Sequence, residues 1–266
     1  VDTTSNSSDG TTSSINNLRA NMGGDGKISL REAILATNAT RNVNGTADEI
    51  HFQIQGSGTQ TLSVTGSDLA ALTDGVIIDA STQSGYSNAP LISLVDGDTR
   101  GIGLTLAAGS DASTIRGFNI QGFGTAGISI VSSSNTIAGN WIGTNATGTA
   151  AAGNVDGIAI WAGDNNIIGG TNVADRNVIS GNTNNGLAAS GSADGTQVLG
   201  NYFGTDKDGL ALVANAAHGI WYGDSTGITI GGNTSTKRNV FVSDGFGIEL
   251  SNTDNSFIQG NYVGLA

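Results

Sequence analysis

The chain repeats one short stretch, Gly139-Asn140-Trp141-Ile142-Gly143-Thr144. The stretch returns as Gly200-Asn201-Tyr202-Phe203-Gly204-Thr205 and again as Gly260-Asn261-Tyr262-Val263-Gly264, at intervals of about 60 residues. A long fixed period indicates a solenoid, because each repeat can bury its apolar face only against its neighbours.

Each long period contains two units, and each unit has three short apolar segments. Within a segment, apolar residues alternate with small or polar ones, as in a strand with one buried face. The first segment of each unit follows a glycine: Gly127, Gly157, Gly186, Gly219 and Gly247. Three short strands per turn predict an all-β parallel β-helix, since no helical period is present and a propeller blade needs four strands.

Asparagine leads the third segment of each unit, at one shared coil position: Asn140, Asn177, Asn201, Asn239 and Asn261. Asparagine tolerates turn backbone and bonds to nearby backbone groups, so these amides are expected to stack as a structural ladder. A ligand-binding role for the same side chains is the alternative. Phe118 takes this position in the preceding coil, where the ladder is expected to stop.

The N-terminal part carries a capping box, Ser29-Leu30-Arg31-Glu32, which predicts a helix from about 30 to 38 that covers the first coil. Residues 1 to about 24 are predicted to form a strand and loop. The chain is interpreted as one domain over residues 1–266. It consists of a cap region (1–48), irregular first coils (49–120) and regular coils with loop insertions (121–266). Because the last repeat motif is followed by no visible cap, end-to-end self-association is a further expectation.

Composition limits the function classes. The 266 residues carry a net charge of −12, which argues against nucleic acid and anionic membranes as partners. No cysteine is present, so disulfides and thiolate metal sites are excluded, and no apolar run has the length of a membrane span. Because the chain starts at Val1, we expect that it has been cut from a precursor or from a larger protein, and we expect an extracellular or cell-surface location.

The sequence also resembles a known family. The similar segments are 29–34, 78–86, 113–118 and 176–182: SLREAI, IDASTQSGY, STIRGF and RNVISGN. They resemble right-handed parallel β-helix segments of large bacterial surface and adhesin-like proteins, over residues 25 to 264. The resemblance implies right-handed coils, an N-terminal cap and a non-catalytic extracellular structural or adhesion module.

Enzymes of the β-helix class are the main alternative. Asn252-Thr253-Asp254 and His218-Gly219 resemble fragments of the pectin-hydrolase pattern, but their order is reversed and no Asp-Asp pair lies between them. Hydrolysis needs two carboxylates at a defined separation, and none is indicated. Arg176 and Arg238 hold equivalent repeat positions, where a lyase base or a bond to loop backbone is possible, and the backbone role is favoured. A polysaccharide lyase, hydrolase or epimerase remains open.

Calcium is the one cofactor that the sequence suggests. The segment from Asp25 to Glu32 resembles the second half of an EF-hand loop, but Asn21 and Gly23 occupy its first two ligand positions without carboxylates. Two pairs of turn aspartates are alternative ligands: Asp96 with Asp98, and Asp206 with Asp208.

Two groups of aromatic residues are predicted to face outward: Trp141, Tyr202 and Tyr262, and Trp161, Trp221 and Tyr222. They are expected either to pack beneath the inserted loops or to stack on sugar rings. An extracellular polysaccharide or cell-surface glycan is therefore the predicted partner.

Overall fold

A computed structural model of the chain describes residues 1–98, 101–242 and 245–264, so Leu265 and Ala266 of the predicted domain lie outside the described residues. Its helices are α1 (Ile15–Ala20) and α2 (Leu30–Asn38), with 3₁₀ turns at Ala80–Thr82, Val173–Asp175 and Ser235–Lys237. None of the helices in these ranges is long and apolar enough to cross a membrane.

The strands form three parallel sheets. The first sheet holds β1 (Asp48–His51), β3 (Val76–Asp79), β6 (Thr114–Arg116), β9 (Thr136–Ala138), β12 (Ile167–Gly169), β15 (Gln197–Leu199), β18 (Thr229–Gly231) and β21 (Phe257–Gln259). The second holds β2 (Gln60–Val64), β4 (Ile92–Asp96), β7 (Phe118–Gln121), β10 (Trp141–Ile142), β13 (Val178–Ile179), β16 (Tyr202–Phe203), β19 (Val240–Phe241) and β22 (Tyr262–Val263). The third holds β5 (Ile102–Leu106), β8 (Ala126–Ile130), β11 (Asp156–Ile160), β14 (Leu187–Ser190), β17 (His218–Gly223) and β20 (Phe246–Ser251).

Successive coils pair in register. In the third sheet, Ile128 pairs with Ile158, which pairs with Leu187 and then Ile220. All four side chains are buried in one continuous core. The alternation that placed apolar residues inward therefore stacks them as columns, and the predicted parallel β-solenoid is confirmed.

The asparagine ladder is also confirmed. Each Oδ1 accepts from the backbone N–H and the Nδ2 of the asparagine in the preceding coil, as Asn201 does from Asn177 at 3.1 and 2.9 Å. Asn239 and Asn261 continue the pattern. The column stops at Phe118, as predicted, where the N–H of Phe118 donates to Asn140 Oδ1 at 3.0 Å.

Two further asparagine columns were not predicted. Asn154, Asn182 and Asn215 bond in the same way at the corner between the second and third sheets. Asn135 and Asn166 do so at the corner between the third and first sheets. All five are buried, so each corner satisfies its turn backbone from inside the solenoid.

Helix α2 has the predicted boundaries and a complete capping box between Ser29 and Glu32. Its Leu30 and Ile34 belong to the same core as the strands. Helix α1 was not predicted, because its six residues give too few apolar positions for a helical period. Ser14 caps it by accepting from the N–H of Asn17.

The two long insertions are hairpin-like loops between the second and third sheets. An antiparallel bridge joins Thr144 to Ala151 in one, and Thr205 to Leu212 in the other. The loops touch each other, since the N–H of Lys207 donates to the carbonyl of Gly148 at 2.8 Å. They therefore stand as a stacked pair beside the start of β11 and β17.

Candidate functional site

A row of polar side chains crosses the third sheet beside these loops. Its members come from four successive strands or their approaches: Asp156, Asn185, His218 and Glu249. Asp156 and Asn185 are buried, whereas 40% of the Glu249 side chain is exposed. We call these four residues the polar row.

Hydrogen bonds join every neighbouring pair in the polar row. Asp156 Oδ1 accepts from the backbone N–H and the Nδ2 of Asn185, both at 3.0 Å. Asn185 Oδ1 lies 2.7 Å from His218 Nδ1, and His218 Nε2 lies 2.9 Å from Glu249 Oε2. The imidazole also stacks on Phe246 at 5.4 Å between ring centroids. The row is therefore fixed in direction and ends at an exposed carboxylate.

Two tryptophans share this outer face. Trp221 and Glu249 are paired residues on neighbouring strands, with Ala188 as the partner of Trp221 on the other side. Trp161 directly follows β11 and is 45% exposed. Ala159 and Ala188 hold the paired positions on the two preceding strands, and their small side chains leave room beside the indole of Trp221. The face thus combines an exposed indole and a partly buried one with a carboxylate whose orientation is set by the protein.

The repeat places the polar row by a simple rule. Asp156, Asn185 and His218 each precede the glycine that opens a strand of the third sheet. Sequence reasoning used these glycines to count coils but did not align the residues before them. That alignment is the signal that would have found the row, in which His218 is the first residue of β17.

In the first aromatic group, which is Trp141, Tyr202 and Tyr262, two of the three side chains pack against the inserted loops. Trp141 is buried beneath its insertion, and a Cβ on Gly148 would lie 2.9 Å from the indole. Tyr202 lies beside Gly209 in the equivalent loop. Tyr262 is exposed. Trp141 thus packs beneath its inserted loop, which is one of the two alternatives that the sequence left open, and it offers no free ring to a sugar.

Arg176 and Arg238 each cover the ring of one tyrosine in the first aromatic group. Arg176 stacks on the Tyr202 ring at 4.2 Å, and its Nε donates to the carbonyl of Gly200 at 3.0 Å. Arg238 stacks on Tyr262 at 4.2 Å and donates to Gly260 at 2.9 Å. The interpretation of these arginines as residues that bond loop backbone is confirmed, and each guanidinium covers one tyrosine face.

The prediction that Tyr222 of the second aromatic group faces outward is wrong. Its ring is fully buried, and its hydroxyl donates to the carbonyls of Ala193 and Thr226. It points inward because alternation along β17 turns Trp221 outward. Tyr222 therefore offers no ring to a ligand.

Burial raises the pKa of Tyr222 to about 12, with a further contribution from Asp194. A folded-state pKa above the unfolded value of about 10 means that the stabilisation is complete below pH 10 and is lost as pH rises towards 12. We expect the free energy of unfolding to fall more steeply over this range in the wild type than in Tyr222→Phe. Urea unfolding at several alkaline pH values measures both slopes, and equal slopes would contradict the assignment.

The calcium prediction at Asp25 and Glu32 is not supported by the geometry. Glu32 Oε1 accepts from the N–H groups of Asp9 and Gly10 at 2.9 and 2.7 Å, and Oε2 accepts from Ser29. Exposed Asp25 accepts from the N–H of Lys27. Glu32 is thus a structural residue that ties the N-terminal segment to α2.

The aspartate pairs likewise bond within their own turns. Burial acts to raise the pKa of Asp206, but N–H donors led by Leu210 and Ala211 lower it overall. Asp208 pairs with Lys207. Asp96 accepts from the N–H of Asp98, which itself accepts from Gly66. Within residues 1–98, 101–242 and 245–264, no three acidic, histidine or cysteine side chains are grouped to hold a metal ion.

No protein-family model matches the chain, and no curated protein matches it either.

Proposed function

We propose that the chain is a non-catalytic extracellular module of a bacterial surface protein, and that the outer face of its third sheet binds a glycan. The observation that carries the proposal is Trp221 on the same face as exposed Trp161, directly beside Glu249. Trp161 and Trp221 lie two strands apart, about 10 Å along the solenoid. Rigid indoles at that spacing suit the apolar faces of alternate sugar rings in an extended chain, since neighbouring rings lie closer together.

The polar row supports glycan binding by providing a fixed acceptor. Sites for small polar ligands combine an apolar or aromatic surface with a few well-placed polar groups. Here Trp221 is the surface and Glu249 is the polar group. Because His218 holds one carboxylate oxygen, Glu249 loses little rotamer freedom when a ligand hydroxyl or amine binds to the other.

The enzyme alternative has one observation in its favour, which is the clustered Asp156 and Glu249 beside the insertions. Asp156 lies on β11 and Glu249 on β20, which is the third strand along the sheet from β11, so their backbones are about 14 Å apart. Carboxylate pairs of glycosidases are about 5–9.5 Å apart. Asp156 is also buried, and its Oδ1 accepts from the backbone N–H and the Nδ2 of Asn185, which leaves it poorly placed for a substrate. These distances favour binding over hydrolysis.

Substitution of Trp161 or of Trp221 by alanine is expected to weaken glycan binding by about tenfold or more, because aromatic side chains that a ligand covers contribute much of the binding energy. Affinity electrophoresis against a panel of polysaccharides measures the effect. Phe257→Ala is the matched control, since Phe257 is exposed on the first sheet, away from this face. Binding that survives loss of both tryptophans would contradict the proposal.

We also propose that the coils wind right-handed and that α2 caps the first coil. The second point is supported by contacts between α2 and β1 and by the shared core at Leu30 and Ile34. End-to-end self-association remains a prediction.

A further inference from the structure

We propose that Glu249 selects the ligand of this face, and that the preferred glycan carries a free, protonated amine. This inference rests on the proposed glycan-binding function and adds the chemical class of the ligand. It follows from three features of the face: the hydrogen bond from His218 that holds Glu249, the position of Trp221 and the charge of the chain.

The hydrogen bonds of the polar row fix the position of Glu249. Asn185 Nδ2 donates to Asp156, so Asn185 Oδ1 is the atom that faces His218 Nδ1 at 2.7 Å. On the other side of the ring, His218 Nε2 lies 2.9 Å from Glu249 Oε2. The imidazole is therefore held between Asn185 and Glu249, and it fixes one oxygen of the exposed carboxylate.

Glu249 is the member of the row that meets solvent. One of its oxygens is held by His218, which leaves the other, Oε1, available at the surface. The buried Asp156 is surrounded by donors, because Asn184 Nδ2 adds a third hydrogen bond to Oδ1 at 2.9 Å. A ligand that approaches the face thus encounters an acceptor at Glu249 Oε1.

Trp221 places a sugar ring next to this acceptor. Trp221 and Glu249 are direct partners on neighbouring strands, which lie about 4.8 Å apart. The indole leans along its own strand, since a Cβ on Gly223 would lie 3.2 Å from it. A ring stacked on Trp221 therefore presents one edge to Glu249, and the substituent on that edge decides whether binding is favourable.

Charge then separates the possible substituents. A carboxylate on the sugar would face Glu249 within a chain of net charge −12 and would be repelled. A hydroxyl would form an ordinary charge-assisted hydrogen bond. A protonated amine forms a bond between two ions, which is the strongest of the three. The geometry therefore points to an amino-sugar polymer with free amines.

Three hexasaccharides with one β-1,4 backbone test the proposal by calorimetry: the glucosamine, N-acetylglucosamine and glucose forms, at a pH that protonates the amine. We expect the glucosamine form to bind about tenfold more tightly than the other two. Glu249→Gln is expected to abolish this preference, because the glucosamine form then loses its ionic partner and binds no more tightly than the neutral forms.

Glu49→Gln is the matched control. Glu49 also pairs with a histidine, His51, at 3.0 Å, but it lies on exposed β1 of the first sheet. The substitution changes net charge equally, so an equal loss of preference in Glu49→Gln would show a general charge effect and overturn the inference. If the wild type bound all three forms with equal affinity and Trp221→Ala bound none of them, the preference for amines would be overturned but the proposed glycan-binding function would stand. Failure of all three to bind would count against the proposed function itself.

Discussion

Replacement of Asn201 by alanine is expected to lower the free energy of unfolding by about 3–5 kcal/mol. Asn201 Oδ1 accepts from Asn177, and its Nδ2 donates to the carbonyls of Ile168 and Leu199 and to Asn239 Oδ1. Alanine would leave these buried groups without partners, and each buried unsatisfied group costs about 1–3 kcal/mol. Urea unfolding followed by circular dichroism measures the loss.

Asn261→Ala is the control for this prediction. Asn261 is the last ladder residue among those described, is only partly buried, and accepts from Asn239 alone. Water can replace part of its hydrogen bonding, so its loss is expected to cost about 1 kcal/mol. Equal effects in Asn201→Ala and Asn261→Ala would mean that burial inside the column does not determine stability.

Gly169→Ala is expected to cost about 2–5 kcal/mol. Gly169 has a φ of +90°, where an alanine is strained by about 1–2 kcal/mol. Its added Cβ would also collide with the carbonyl of Leu199 and the amide of Asn201 in the next coil. The coils are spaced by fixed backbone hydrogen bonds, so the next coil cannot move away without breaking them, and overpacking adds about 1–3 kcal/mol.

Gly26→Ala separates strain from collision. Gly26 also has positive φ, at +63°, but nothing lies within 4 Å of the position of a Cβ. Only the strain of about 1–2 kcal/mol is expected there. Similar losses in the Gly169 and Gly26 variants, measured by the same urea unfolding, would argue against close stacking of the coils.

The sequence predicted the fold well where one physical rule repeats. Alternation in Ile128 and Ile158 determines which face is buried, and the recurrence of Asn177 and Asn201 at one position determines the register of successive coils. The capping box at Ser29 likewise depends only on neighbours in the chain. Local rules of this kind can be read without coordinates.

The candidate site was predicted only in part. Trp161 and Trp221 were found because large aromatics are rare in this chain. The bonds from Asn185 to His218 and on to Glu249 were missed, because they depend on side-chain reach between coils about 30 residues apart. Tyr222 was misassigned because neither residue of the Trp221-Tyr222 pair is distinctly polar, so the pattern alone does not fix which one faces inward.

The most direct test of the central claim, a glycan-binding face without catalysis, is incubation with neutral, basic and acidic polysaccharides, with and without Ca²⁺, followed by mass spectrometry. The account predicts intact polymers and retention of the protein on at least one of them. New short or unsaturated oligosaccharides would contradict it and would identify the polar row as the place to look for the reacting groups.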